Sequence, residues 1–174
     1  MEMRLLRRDE VELLWTIDRS EVIERMYVME QGTLVLRDAP FVAHGWPPGE
    51  AEHYTPLLYE CFDRGGLFFG CFADGQLVGL SVLDTLWLGP ERDQLQLLMM
   101  HVSCAYRGRG IGATLFRQAA RAARERGAKW LYISATPTEH TVQFYLHLGA
   151  TLNANPDPVL FAREPEDIHL LCAL

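Results

Sequence analysis

Apolar residues fall three and four positions apart between Gly110 and Arg126, at Ile111, Leu115, Ala119, Ala122 and Ala123, the spacing of one helix face. Gly127 closes that stretch as a residue that takes the left-handed conformation past a helix end. Tyr54, Leu57, Leu58, Cys61 and Phe62 repeat the helical spacing between Glu50 and Asp63. Other segments are apolar at shorter intervals and read as strands: Met3–Arg8, Leu67–Ala73, Gln76–Leu88, Gln94–Val102, Lys129–Ser134, Gly149–Leu152 and Ile168–Leu174. Asp74-Gly75 and Gly89-Pro90 are turn dipeptides, so the three middle strands form an antiparallel meander. Asp9 is placed to cap a helix over Glu10–Ile17, and Pro137-Thr138 opens a short helix that ends at His147. From Glu21 to Leu36 the alternation is poor, and Gly32 between two apolar runs indicates a hairpin. Ala43 to Gly49 is a loop by its Gly and Pro content.

This order of elements predicts an α/β (α+β mixed) domain. Its centre is a mixed, mostly antiparallel twisted sheet of about six to seven strands with helices on both faces. A length of 174 residues suits a single domain, 1–174, and 49% hydrophobic residues supply its core. Residues 18–50 fit the pattern least and are expected to be an insertion on the substrate side.

Composition narrows the partners. With 16 basic and 23 acidic residues the net charge is −7, a poor balance for neutralising nucleic-acid phosphates. No apolar run approaches the roughly 20 residues that span a bilayer, and Met1–Asp9 lacks the apolar stretch of a secretory signal. The expectation is a cytoplasmic protein that binds neither membrane nor nucleic acid. Cys61, Cys71, Cys104 and Cys172 are scattered without metal spacing and read as reduced thiols. Six histidines show no paired spacing, so no metal is expected. The apolar run Ile168–Leu174 suits either an internal strand or a strand paired across a homodimer.

The chemistry concentrates at Arg107-Gly108-Arg109-Gly110-Ile111-Gly112, between a strand and the long amphipathic helix. A glycine-rich turn entering a helix aims unpaired N–H groups and the positive dipole end at one point, which binds phosphate. Its three glycines let a bulky anion reach the main chain, and Arg107 and Arg109 offer two cationic forks. A dinucleotide fingerprint would need GxGxxG after the first strand, whereas here the strand belongs to a meander and the spacing is GxGxG. His101 reads as a satisfied core histidine, pointing away from Met100 and Val102. Trp46, Pro47 and Pro48 read equally as a substrate loop or a surface loop. Glu21, Glu24 and Glu30 read as a solvated face, with an amine-attracting rim as the alternative.

Val102 to Gly112, followed about thirty residues on by Phe144-Tyr145-Leu146-His147-Leu148-Gly149-Ala150, resembles the GNAT superfamily of acetyl-CoA-dependent N-acyltransferases. Arg107, Gly110 and Gly112 match its Arg/Gln-x-x-Gly-x-Gly/Ala phosphate motif, and the similarity runs from about Leu67 to Leu152. The resemblance implies an acetyltransferase that moves an acetyl group from acetyl-CoA to a primary amine of a small molecule, or of a peptide, by direct transfer. It implies that Arg107, Gly108, Arg109, Gly110, Ile111 and Gly112 hold the CoA pyrophosphate. The backbone of Met100 and Val102 would pair with the pantetheine arm as the strand splays from its neighbour. Thr138 would contact CoA where many members carry asparagine, and Tyr145 would protonate the departing thiolate. Where some members carry a base, this chain has Gln96, which raises a non-catalytic CoA-binding sensor or assembly module as the alternative. Glu21, Glu24, Asp84, His101 and Glu139 are all eligible as base, and none stands out.

Overall fold

The sequence order is built into a seven-stranded sheet in the computed structural model, which describes residues 1–174. The strands are β1 (Glu2–Leu5), β4 (Leu67–Ala73), β5 (Gln76–Leu88), β6 (Gln94–Val102), β7 (Trp130–Ala135), β8 (Ala150–Leu152) and β9 (Ile168–Ala173). Their order across the sheet is β1-β4-β5-β6-β7-β9-β8, and β6–β7 is its parallel pair. β2 (Glu21–Glu30) and β3 (Thr33–Ala43) form a separate two-stranded hairpin within the expected insertion. The helices are α1 (Glu50–Asp63), α2 (Ile111–Glu125), α3 (Glu139–His147) and α4 (Pro158–Arg163).

Two cores lie on opposite sheet faces. On one, Phe116, Ala119 and Ala123 of α2 and Val142 and Tyr145 of α3 pack on Leu95, Leu97, Leu131 and Ile133. On the other, Leu58 and Cys61 of α1 join Val11, Leu14 and Ile17 over Phe68, Leu80 and Val82. Small residues bring α2 down onto β5: a side chain added at Gly79 would stand 3.1 Å from both Ile111 and Leu115. Ser81 on the same face donates to Leu115 O at 3.1 Å.

The structure corrects one sequence expectation, adds one element and decides one alternative. Residues Arg8–Thr16 form a 3₁₀ helix rather than an α-helix, and Asp9 does not cap it. Glu10 does that work: its carboxylate accepts from Arg7 N at 2.9 Å and from Arg4 at 2.8 Å, tying β1 to the helix. α4 was not anticipated, although Asp157-Pro158 is a start signal; Asp157 accepts from Val159 N and Leu160 N. Finally, β9 lies between β7 and β8, the internal-strand alternative for Ile168–Leu174.

The fold opens where β6 leaves β7. Their register runs from Gln94↔Trp130 to Leu97↔Ile133 and stops, although both strands continue. β6 carries an extra residue at this point, because Val82 faces Met99 and Leu83 faces Leu97, leaving Leu98 unopposed. Such a bulge bends its strand and sharpens the local twist. It turns β6 away from β7, which stays with β9 through Ala135↔Ile168.

Candidate active site

A cavity of about 400 Å³ occupies that split, within the size range of small-ligand sites. Met100, Val102, Arg107, Gly108, Gly110, Ile111, Gly112 and Tyr145 line it, so eight of the ten residues singled out for cofactor or catalysis are brought together. Arg109 and Thr138 are not among its walls.

The turn into α2 forms one wall. Gly108 and Gly110 take φ of 73° and 78°, a conformation that costs an L side chain roughly 1–2 kcal/mol. The amides of Gly108, Arg109, Gly110, Ile111, Gly112 and Ala113 make no hydrogen bond within the protein; the first return bond of the helix is Thr114 N to Gly110 O. The result is an unbroken run of donors at the positive end of a fifteen-residue helix.

The arginines do not act as free forks. Arg107 Nε donates to Val102 O at 3.0 Å and a terminal nitrogen donates to Ser20 O at 3.0 Å, locking the turn to the end of β6 and to the start of the hairpin. Arg109 turns back, donating to Ala105 O at 3.0 Å and stacking on Tyr106 at 5.1 Å. The anion cradle is therefore mainly main chain. Arg107 and Arg109 had acceptors nearer than a ligand, which spacing along the sequence does not reveal.

β6 supplies the adjoining wall. Ser103 N bonds to Val78 O on β5, and peptide groups alternate sides along a strand, so those of Met100 and Val102 face the split. Val102 O is taken by Arg107, which leaves the Val102 N–H and both groups of Met100 open to the cavity. Thr138 is 3% exposed and caps α3, its Oγ1 accepting from Thr141 N at 3.3 Å. That hydroxyl is engaged at the helix end and lies outside the cavity walls.

Tyr145 is 5% exposed, packs against Phe144 and Phe116, and gives its hydroxyl no protein partner. Burial, with the nearby Asp167 charge, pushes that hydroxyl well above the ordinary tyrosine range, so it holds its proton.

Acidic groups reach the cavity from the α1 side. Glu50 at the start of α1 receives Arg19 at 2.9 and 3.1 Å. Glu164, at the end of α4, accepts the Tyr54 hydroxyl at 2.5 Å. Asp167 stands just before β9, and burial with the Glu164 charge pushes its carboxyl up to about 7. Because α1 and α2 cover opposite faces, the split in the sheet joins the amide cradle to this acidic side.

The expected bases separate on this geometry. Gln96 is buried opposite Tyr132 in the paired part of β6, outside the cavity, so its lack of basicity does not bear on chemistry there. Asp84 holds Arg64 at 2.9 and 2.5 Å, Glu139 holds Arg25, and Glu24 lies along a smaller neighbouring pocket. Glu21 stands at the rim of both pockets. His101 corrects its expectation: it lines the cavity, edge-on to Trp46 at 4.8 Å, and its ring nitrogens find no protein partner. Burial and the charges of Arg19 and Arg107 hold it neutral, pushed down to about 3. Trp46 is a supporting residue behind His101, donating to Ile17 O at 2.9 Å. Glu50, Glu164 and Asp167 escaped the sequence reading; the available signal was the acidic run Glu164-Pro165-Glu166-Asp167 before the last strand.

The Acetyltransferase (GNAT) family profile matches residues 33–150. An uncharacterised N-acetyltransferase of Methanocaldococcus jannaschii is 30% identical over 105 residues, which is 57% of this chain and 44% of that relative. This chain thus spans less than half the length of the curated relative it matches. Nourseothricin acetyltransferase superposes with a TM-score of 0.74 at 22% identity, over 99% of this chain and 97% of the other. A Bacillus anthracis protein described as a streptothricin acetyltransferase, solved with acetyl coenzyme A, gives 0.74 at 17% identity over 99% and 98%. At those identities the two share the fold.

Proposed function

The chain belongs to the acetyltransferase (GNAT) family, and from that membership we propose that it transfers an acetyl group from acetyl-CoA directly to a primary amine of a small molecule. One observation carries this reading. The unpartnered amides from Gly108 to Ala113 face, through the split sheet, an acidic wall, with the proton-holding Tyr145 in the same cavity.

Each end suits one substrate. The cradle and the positive helix end bind the CoA pyrophosphate, and the open groups of Met100 and Val102 pair with the pantetheine amides. The Val102 N–H is placed to polarise the thioester carbonyl. Tyr145 gives its proton to the departing sulfur. Glu21, Glu50, Glu164 and Asp167 attract a cationic amine. Arg19, Glu21 and Glu50 come from the two ends of residues 18–50, which supports that segment as the acceptor-side wall. Direct transfer is supported by the lining residues, which include no cysteine and no lysine; Cys104, the exposed thiol, is outside the cavity.

The test is thiol release from acetyl-CoA with a panel of amines, starting from nourseothricin and streptothricin, the acceptors named for the two structural relatives. Amine-dependent release with acetylated product, and an enzyme whose intact mass is unchanged by acetyl-CoA alone, is the expected result. Tight acetyl-CoA binding without release for any amine would sink the transferase reading in favour of a CoA-binding module.

A further inference from the structure

Four carboxylates line the cavity, and their surroundings differ. Glu50 is committed to Arg19 and Glu164 to Tyr54, while Glu21 sits at the rim. The Asp167 carboxylate makes neither a hydrogen bond nor an ion pair. Its backbone is nonetheless firmly held, since Asp167 N donates to Glu164 O at 3.2 Å and the next residue opens β9 against Ala135. His169 braces the same loop, with Nε2 3.2 Å from Glu164 O and Nδ1 2.7 Å from the buried Tyr132 hydroxyl.

A second observation points to a ligand. Tyr145 lines the same cavity, is 5% exposed, and its hydroxyl is also without a partner. Ser134 Oγ on β7, shut off from solvent in the wall of the same cavity, has no partner either; buried polar groups are nearly always satisfied, so this orphan marks a site that a ligand completes.

We propose that Asp167 is the catalytic base that takes the proton from the acceptor's ammonium group. The proposal rests on the transferase reading and adds the residue that sequence reasoning left unassigned. The ammonium gives one proton to the Asp167 carboxylate. The freed nitrogen pair forms the C–N bond at the thioester carbonyl carbon, whose π pair moves to oxygen. That pair returns as the C–S bond breaks with its electrons on sulfur. Sulfur takes the Tyr145 proton, the product nitrogen's surplus proton restores Tyr145, and Asp167 releases its own to water.

Neighbouring charges favour Asp167 over His101 as the proton acceptor. Glu164 at the end of α4, Glu50 on α1 and Tyr145 on α3 act on the carboxylate, with Arg19 as the opposing cation and Tyr54 held by Glu164. His101 on β6 instead faces Arg19 and Arg107.

Wild type, D167N and D167E are compared with acetyl-CoA and streptothricin, or the best amine of the panel, from about pH 5 to about pH 10. For the wild type, kcat/KM rises through a midpoint near 7. D167N falls about 10²-fold at neutral pH, loses that midpoint, and recovers as the amine itself becomes neutral; D167E restores part of the rate. Acetyl-CoA affinity stays at the wild-type level. In parallel, carboxyl NMR of aspartate-labelled enzyme shows a resonance titrating near 7 that vanishes in D167N. A D167N enzyme with the wild-type rate and midpoint, or a carboxyl titrating in the ordinary range, overturns the base and leaves the transferase reading standing. A wild type that transfers to no amine overturns both.

Discussion

Tyr145 lines the cavity with a hydroxyl that no protein group partners, and burial keeps its proton in place, so that proton is available to a ligand rather than spent on the core. Its ring already packs between Phe144 and Phe116, so Tyr145→Phe leaves the core intact. We expect kcat to fall about 10²-fold while acetyl-CoA binding by calorimetry is nearly unchanged. An unaltered kcat would remove the acid role. Thr138 and Arg109 teach the converse at the same scale. Each has the chemistry to meet CoA, and each is satisfied by its own backbone neighbourhood. A residue's donor count is readable from its name, but its nearest acceptor is not. Met100, Val102 and Tyr145 were named through the family resemblance, and all three line the cavity.

At the scale of elements, the working unit is β6, its turn and α2. The bulge at Leu98 opens the sheet, the glycines bring the chain round, and the helix presents its bare amides to the gap. Gly110, at the N-cap with φ of 78°, needs the left-handed conformation that a β-branched side chain resists. Gly110→Val should weaken CoA binding at least about 10-fold, the equivalent of about 1.4 kcal/mol, with the circular dichroism of the fold retained. Gly112→Ala is the control, because its added carbon meets Phe144 at an ordinary 3.4 Å. Equal CoA affinity in Gly110→Val and wild type would refute the main-chain cradle. Most elements could be read from periodicity, since a long amphipathic helix and a turn-punctuated meander carry strong local signals. At Arg8–Thr16 a helix was legible but its 3₁₀ form was not, and the six-residue α4 was too brief for a period to register.

Across the whole molecule, opposite surroundings set two carboxylates against each other in pH: Arg4 and the Arg7 amide lower Glu10, and burial raises Asp167. Glu10 is held from the ordinary 4.5 down to about 2 by Arg4 and by the Arg7 amide. Its contribution is complete above the higher value and disappears as pH falls through the lower. Asp167 is raised from 3.8 to about 7, so it is costly to the fold once ionised, and stability is lost as pH rises between those values. Thermal melts should therefore show E10Q less stable than wild type near neutrality and matching it near pH 2, whereas D167N gains stability above pH 7. A D167N melt below that of wild type at pH 8 would contradict the strained, substrate-awaiting carboxylate. The local code of this chain, its periodicity, turn residues and Gly-rich helix start, determined the sheet, the cradle and the family resemblance, because each rests on neighbours a few residues apart. Tertiary structure alone decided which acids face the amine, since Glu50, Glu164 and Asp167 meet across a split sheet from segments whose sequence separation says nothing of their distance.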